Sequence, residues 1–186
     1  MSKKNKIIIG LVALATVLFC IIRFGIIPAN QNKQAEYAKN QFDSLTHDIA
    51  SIIKFKSAYI GDASNVGNLF YALPLSNIST KFEIDSKECT LTVNYSDTVW
   101  NIGEEKVHRD LVYNSVAAMA LIDNLTAVTY NFSGDSFSFD RKQMETVFGS
   151  PLSDLLDKDV WKKKVQSQIG SDDFVEQFYE ITDAVN

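Results

Sequence analysis

Residues 7–27 read IIIGLVALATVLFCIIRFGII, an apolar run broken only by Arg23. No other feature constrains the chain as much. An apolar run of this length is stable as a helix whose backbone bonds close internally and whose side chains meet lipid. Its 21 residues, at about 1.5 Å each, reach roughly 31 Å, which matches a hydrocarbon core of about 30 Å. Arg23 lies one turn from the far end, where a guanidinium can snorkel to the headgroups. Lys3, Lys4 and Lys6 precede the run, and positive flanks stay in the cytoplasm. The expected topology is a single pass through the cell membrane, with the N-terminus cytoplasmic and the rest extracytoplasmic. Three processing fates compete. A retained anchor fits the span length best. A cleaved signal peptide would have an overlong apolar core and a poor small-x-small site at Ile27-Pro28-Ala29. A lipoprotein on Cys20 would want small residues before the cysteine, where Leu18 and Phe19 stand. The predicted division is residues 1–28 as anchor, 29–34 as a polar linker and 35–186 as one extracytoplasmic domain.

The 186 residues suffice for one domain, and 46% hydrophobic with 22% charged residues excludes a disordered chain. Residues 1–28 hold four basic residues and no acid; residues 29–186 hold fourteen basic and twenty-three acidic ones. So acidic a body argues against nucleic acid as a partner, because phosphate binding requires clustered Lys and Arg. Cys20 and Cys89 cannot form a disulfide framework. Cys89 reads as a small core residue on a strand, with an intermolecular disulfide as the alternative.

Period and punctuation predict an α+β domain. Ala38, Phe42, Leu45, Ile49, Ile52 and Ile53 form one stripe of a helix over 34–56. Gly61 allows a turn, Asp62 or Ser64 caps a helix carrying Val66, Leu69, Phe70 and Leu73, and Pro74 ends it. Two alternating segments, 81–85 and 89–95, form a hairpin with one polar face. A polar loop around Trp100 and Gly103 leads to a helix over 107–122, with Leu111, Val112, Val116, Met119 and Ile122 inward. Val128, Tyr130 and Phe132 alternate into a second hairpin through Ser133-Gly134-Asp135. Asp140 caps a helix that Gly149 and Pro151 stop, Asp159 caps 160–168, and Phe174, Phe178, Ile181 and Val185 mark a last helix. The expected architecture is a small antiparallel sheet of about four strands in two hairpins, packed by amphipathic helices.

Residues 54–66, KFKSAYIGDASNV, running on to Leu73-Pro74-Leu75, resemble the opening block K-x-K-x-x-Y-[VI]-G-D-x-S-x-V…L-P-L of a bacterial family, domain of unknown function forty-eight twenty-five. Leu91-Thr92-Val93-Asn94-Tyr95, Ala120-Leu121-Ile122-Asp123-Asn124 and residues 128–132 fit later blocks, so the resemblance covers about 50–150. It implies a domain found mostly in Gram-positive bacteria, outside the membrane and often behind an anchor. It implies no catalytic residue. The chain departs from the family at IDSKECTLTV, where the family carries a glycine- or proline-bearing turn.

Several motifs suggest chemistry. Ser51-Ile52-Ile53-Lys54 matches S-x-x-K, in which a lysine one turn away activates a serine; no K-T-G triad accompanies it. His47 and His108 lack partners at metal-ligand spacing, and read as a solvated helix residue and a loop or cap residue. Asp154, Asp157, Asp159, Asp172 and Asp173 lack the glycine and terminal Glu of a calcium loop, and helix capping explains three of them. Trp100, Tyr59, Tyr71 and Tyr113 can line a groove, though such aromatics are more often packing. If a site exists, the turn carrying Tyr59, Gly61 and Asp62 is the place for it. The chain therefore reads as a non-catalytic, membrane-anchored binding or sensing module with an envelope or membrane protein as partner. It needs no cofactor. The alternative is an envelope hydrolase or acyltransferase using Ser51 and Lys54.

Overall fold

The structure, a computed structural model, describes residues 2–183, with side chains through Tyr179. It divides into two units, residues 2–40 and 41–183.

The first unit is one helical rod: α1 (Lys3–Ile21), a π turn (Ile22–Ile26) and α2 (Ile27–Asn40). None of its residues is buried, and Ile7, Leu11, Leu14, Leu18 and Ile22 all point outward unpaired. Its first half is long and apolar enough to cross a membrane. Residues 29–34, expected to be a linker, are helical because nothing in ANQNKQ breaks a helix once it has started.

The helix expected over 34–56 ends at Asn40. Asp43 turns the chain instead: its carboxylate accepts from the Leu45 N–H at 2.9 Å and its carbonyl from His47 N–H at 2.8 Å. Asp48 then starts a short 3-10 turn (Ile49–Ser51), and a second (Ile53–Phe55) follows. Short acidic side chains that bond to nearby backbone compete with a helix, and here they win. The stripe still buries Ile49 and Ile52, while Phe42 and Leu45 stay half-exposed.

In the second unit, α3 (Ala63–Phe70) precedes β1 (Thr80–Asp85) and β2 (Thr90–Tyr95). Next come α4 (Val99–Ile102), α5 (Glu104–Leu121), β3 (Ala127–Asn131) and β4 (Ser136–Asp140). The two hairpins form one sheet, ordered β1-β2-β3-β4. They join through a parallel β2–β3 pair, Leu91 opposite Val128. A helix must carry the chain from the end of β2 back to the start of β3, and α5 does so. Its residues 110–121 are all buried, so it runs through the middle of the unit rather than lying on it. Ala117, Ala118 and Ala120 permit the close approach that this requires.

The other sheet face is polar and carries a cross-strand ladder. Asn94 donates to Glu83 at 2.9 Å, Asn131 to Asn94 at 2.8 Å and Ser136 to Asn131 at 2.8 Å.

The C-terminal layer holds α6 (Arg141–Phe148), a 3-10 turn (Leu152–Leu155), α7 (Lys158–Trp161), a π turn (Lys162–Gln166) and α8 (Asp172–Asp183). Asp140 caps α6 as expected, and Gly149 ends it at φ 66°. The helix expected from 160 starts two residues earlier, because Asp157 and not Asp159 caps it. Phe178 is buried on α8; the Ile181 side chain and Val185 lie outside the described residues.

Candidate functional site

The turn at 57–62 is built from both sides. Ser57 donates its N–H to the Leu121 carbonyl at 2.8 Å, and its carbonyl accepts from Asp123 at 3.0 Å. Asn124 Oδ1 accepts from Ile60 N–H at 2.7 Å, and Asn124 Nδ2 donates to Cys89 Sγ at 3.3 Å. Asp62 caps α3 by accepting from Asn65 N–H at 3.0 Å, and Asn65 Nδ2 ties back to the Phe55 carbonyl at 2.7 Å. Ile60 is fully buried, whereas Tyr59 is 71% exposed. Gly61 needs no left-handed conformation, and a Cβ there would meet only Ser86 Oγ at 3.6 Å. The turn thus holds an exposed aromatic on a backbone fixed by hydrogen bonds.

The L-P-L block is held just as firmly. Leu73 and Leu75 are buried, Leu75 takes a positive φ of 67°, and buried Asn114 donates to the Pro74 carbonyl at 2.8 Å. Cys89 also takes a positive φ, 57°, in the turn between β1 and β2. It is a half-buried turn residue rather than a strand residue, and its thiol is free.

The four aromatics do not converge. Tyr113 is buried, while Tyr71 and Trp100 are 62% and 88% exposed. Ser51 and Lys54 fall in separate 3-10 turns, and the Lys54 ammonium lies 5.0 Å over the Phe55 ring.

His47 corrects its expected place on a solvated helix. It is 2% exposed, with Nδ1 2.7 Å from Tyr113 Oη and Nε2 2.9 Å from the Ala72 carbonyl. A carbonyl only accepts, so Nε2 carries the proton and Nδ1 accepts from the tyrosine. Burial holds its pKa below the ordinary histidine value, opposed by the Ala72 bond and Asp48. Asp110, fully buried, accepts from Ser44 N–H at 3.2 Å and pairs with Lys106, which also donates to the Phe42 carbonyl at 2.9 Å. Burial pushes this carboxyl up and the Lys106 pairing pulls it down, the first prevailing. Gln166 Nε2 donates to the carbonyls of Ser44 and His47 at 2.9 and 2.8 Å. Residues 41–48 are therefore a strap pinned by α5 and the turn after α7. Nothing in the local sequence signals this. Likewise Arg141 donates to the carbonyls of Met119, Ile122 and Leu125 and closes the C-terminal end of α5 from a distance.

Two clefts of about 300 Å³ flank α8. The acidic one is lined by Glu104, Glu105, His108, Asp172, Glu176 and Tyr179. His108, on α5 rather than in a loop, stacks on Tyr179 at 4.1 Å. Burial lowers its pKa, against Glu104 and Asp135, which raise it. The other is lined by Val147, Phe148, Lys163, Lys164, Gln168 and Phe174. Among the described residues no group of three or more His, Cys, Asp or Glu can hold a metal ion.

Comparison with known proteins finds one family. Residues 52–144 match the family model described as Domain of unknown function (DUF4825), which spans half the chain. No curated protein and no solved structure matches. The matched stretch holds the 57–62 turn, the L-P-L block, α5, all four strands and the first half of α6, and its 57–62 turn, L-P-L block and α5 are interlocked through Ser57, Asn114 and Asn124. The chain belongs to the DUF4825 family.

Proposed function

We propose that this protein is a non-catalytic binding or sensing module, held on the extracytoplasmic face of the cell membrane by its N-terminal helix. Residues 1–28 serve as the anchor, and the folded part recognises an envelope or membrane protein through the turn bearing Tyr59, Gly61 and Asp62. The observation that carries this reading is Tyr59, a 71% exposed aromatic between a buried Ile60 and a Ser57 tied into α5. A large aromatic on a pre-ordered turn loses little entropy on binding and supplies much contact area. Three lysines before the apolar run and none of the acids there support the orientation.

The test is a photo-crosslinking residue in place of Tyr59 in the full-length protein, irradiated in intact cells. A discrete adduct with one envelope or membrane protein, absent when the crosslinker replaces Ser64, supports the proposal. A folded, membrane-inserted protein that gives no adduct at position 59 contradicts it.

A further inference from the structure

The cleft between α6, the Lys162–Gln166 π turn and α8 has two chemically distinct walls. One is apolar: Phe148 and Phe174 meet edge to face with centroids 5.6 Å apart, beside Val147. The other is cationic, carrying Lys163 and Lys164. Both lysines are exposed, and neither has a salt bridge among the described residues. The nearest acid on α6 in sequence, Glu145, is engaged by Arg141 at 3.6 Å. The π turn contributes to this placement. Ser167 N–H bonds back to Lys162 at 3.0 Å, five residues away, and the widened turn sets two successive lysines at the rim.

The charge is unexpected for its surroundings. Residues 41–186 hold twelve basic and twenty-two acidic residues, so the field of the whole unit repels anions. Three of those twelve cations nevertheless stand in one run, Lys162-Lys163-Lys164, beside half-buried phenylalanines. An apolar floor with paired cations at its rim suits a ligand with an apolar body and one anionic end. Lysine is a point charge without the planar fork of arginine, so it accepts a single carboxylate without demanding bidentate geometry. A volume of about 300 Å³ admits a small molecule, not a protein segment with its own fold.

We infer that this cleft is a binding site for a small apolar carboxylate, the apolar body on Phe148 and Phe174 and the carboxylate at Lys163 and Lys164. All six lining residues lie beyond residue 144, outside the stretch matched by the family model. The site is thus separate from the Tyr59 turn, and it stands or falls independently of the proposed function.

The experiment uses the full chain in nanodiscs of zwitterionic lipid and three probes with one aromatic body. Phenylpropionate, phenylpropanol and phenylpropylamine share a phenylethyl body and carry an anionic, a neutral and a cationic head. Saturation-transfer NMR with empty nanodiscs as control reads binding. Phenylpropionate should bind about ten-fold more tightly than the alcohol, and the amine more weakly than either. The double variant K163E/K164E, on exposed positions that the fold does not use, should reverse the order and favour the amine. F174S should weaken all three probes; if it fails to fold, the charge reversal still decides the matter. Equal affinity for the acid and the alcohol, no phenylpropionate binding, or an unchanged order in K163E/K164E would each overturn the inference.

Discussion

Two irregular segments are tied to the same helix by opposite means. The strap at 41–48 is held by side chains: Asp110 and Lys106 grip its backbone from α5, Gln166 grips it from the far side, and its own His47 reaches Tyr113 and Ala72. The turn at 57–62 is held largely through backbone, by the Ser57 bonds to Leu121 and Asp123 and by Asn124 on Ile60. In the strap His47 is buried and committed to the fold, as is the Asp110 that grips it. In the turn the fold is secured without Tyr59, which stays in solvent. The difference teaches where to look for function: a perturbed buried histidine here signals architecture, and an exposed tyrosine on a secured backbone is the candidate for contact.

Mutations can break this contrast. The largest effect belongs to Asp110→Ala, which leaves the Ser44 N–H without its acceptor and Lys106 with the Phe42 carbonyl but no counter-charge. Because Lys106 can still reach water, the expected loss is about 2–3 kcal/mol, below that for a fully buried pair, read from the denaturation midpoint. His47→Gln should cost about 1–2 kcal/mol at neutral pH. It should also change the pH profile. His47 has a folded-state pKa below its ordinary 6.5, so the unfolded chain takes up the proton first. Its contribution is full above about pH 6.5 and is lost as pH falls toward the lowered value. His108 is shifted the same way, so the variant's profile should flatten without becoming level. Asp110 acts with the opposite sign: its raised carboxyl contributes below the ordinary 3.8 and loses that contribution as pH rises.

Smaller effects sharpen the other side of the contrast. Asp62→Ala removes the cap of α3 and should cost about 1 kcal/mol, with Asp62→Ser recovering most of it. Tyr59→Ala should leave stability within about 0.5 kcal/mol while abolishing partner capture from intact cells. A large destabilisation by Tyr59→Ala would show that the tyrosine belongs to the fold after all.

Where the sequence was legible, a local rule was at work. The apolar run, both hairpins, the Asp62 and Asp140 caps and the Gly149 stop follow from length, period two and cap chemistry. Illegible features depended on distant residues. The strap reads as helix because its stripe continues through Ile49 and Ile52; Asp43 and Asp48 turn it locally, and the bonds that then pin it come from Lys106, Asp110 and Gln166, far away in sequence. The parallel join of the hairpins depends on where α5 returns the chain, which no alternation encodes. Of the candidate site, the turn and its cap were legible; Asn114, Asn124 and Arg141, whose partners lie sixteen or more residues away, were not.

The central claim is that a retained N-terminal helix holds the folded unit outside the membrane. Its most direct test is labelling with a membrane-impermeant maleimide in intact cells, on a chain with Cys20 and Cys89 replaced by serine and one cysteine restored. Ser64→Cys, on the exposed side of α3, should be labelled in intact cells, on a protein that sediments with membranes at full length. Ser2→Cys should be labelled only after permeabilisation. Labelling of Ser2→Cys alone in intact cells, or recovery of a shortened, soluble Ser64→Cys protein, would contradict the account.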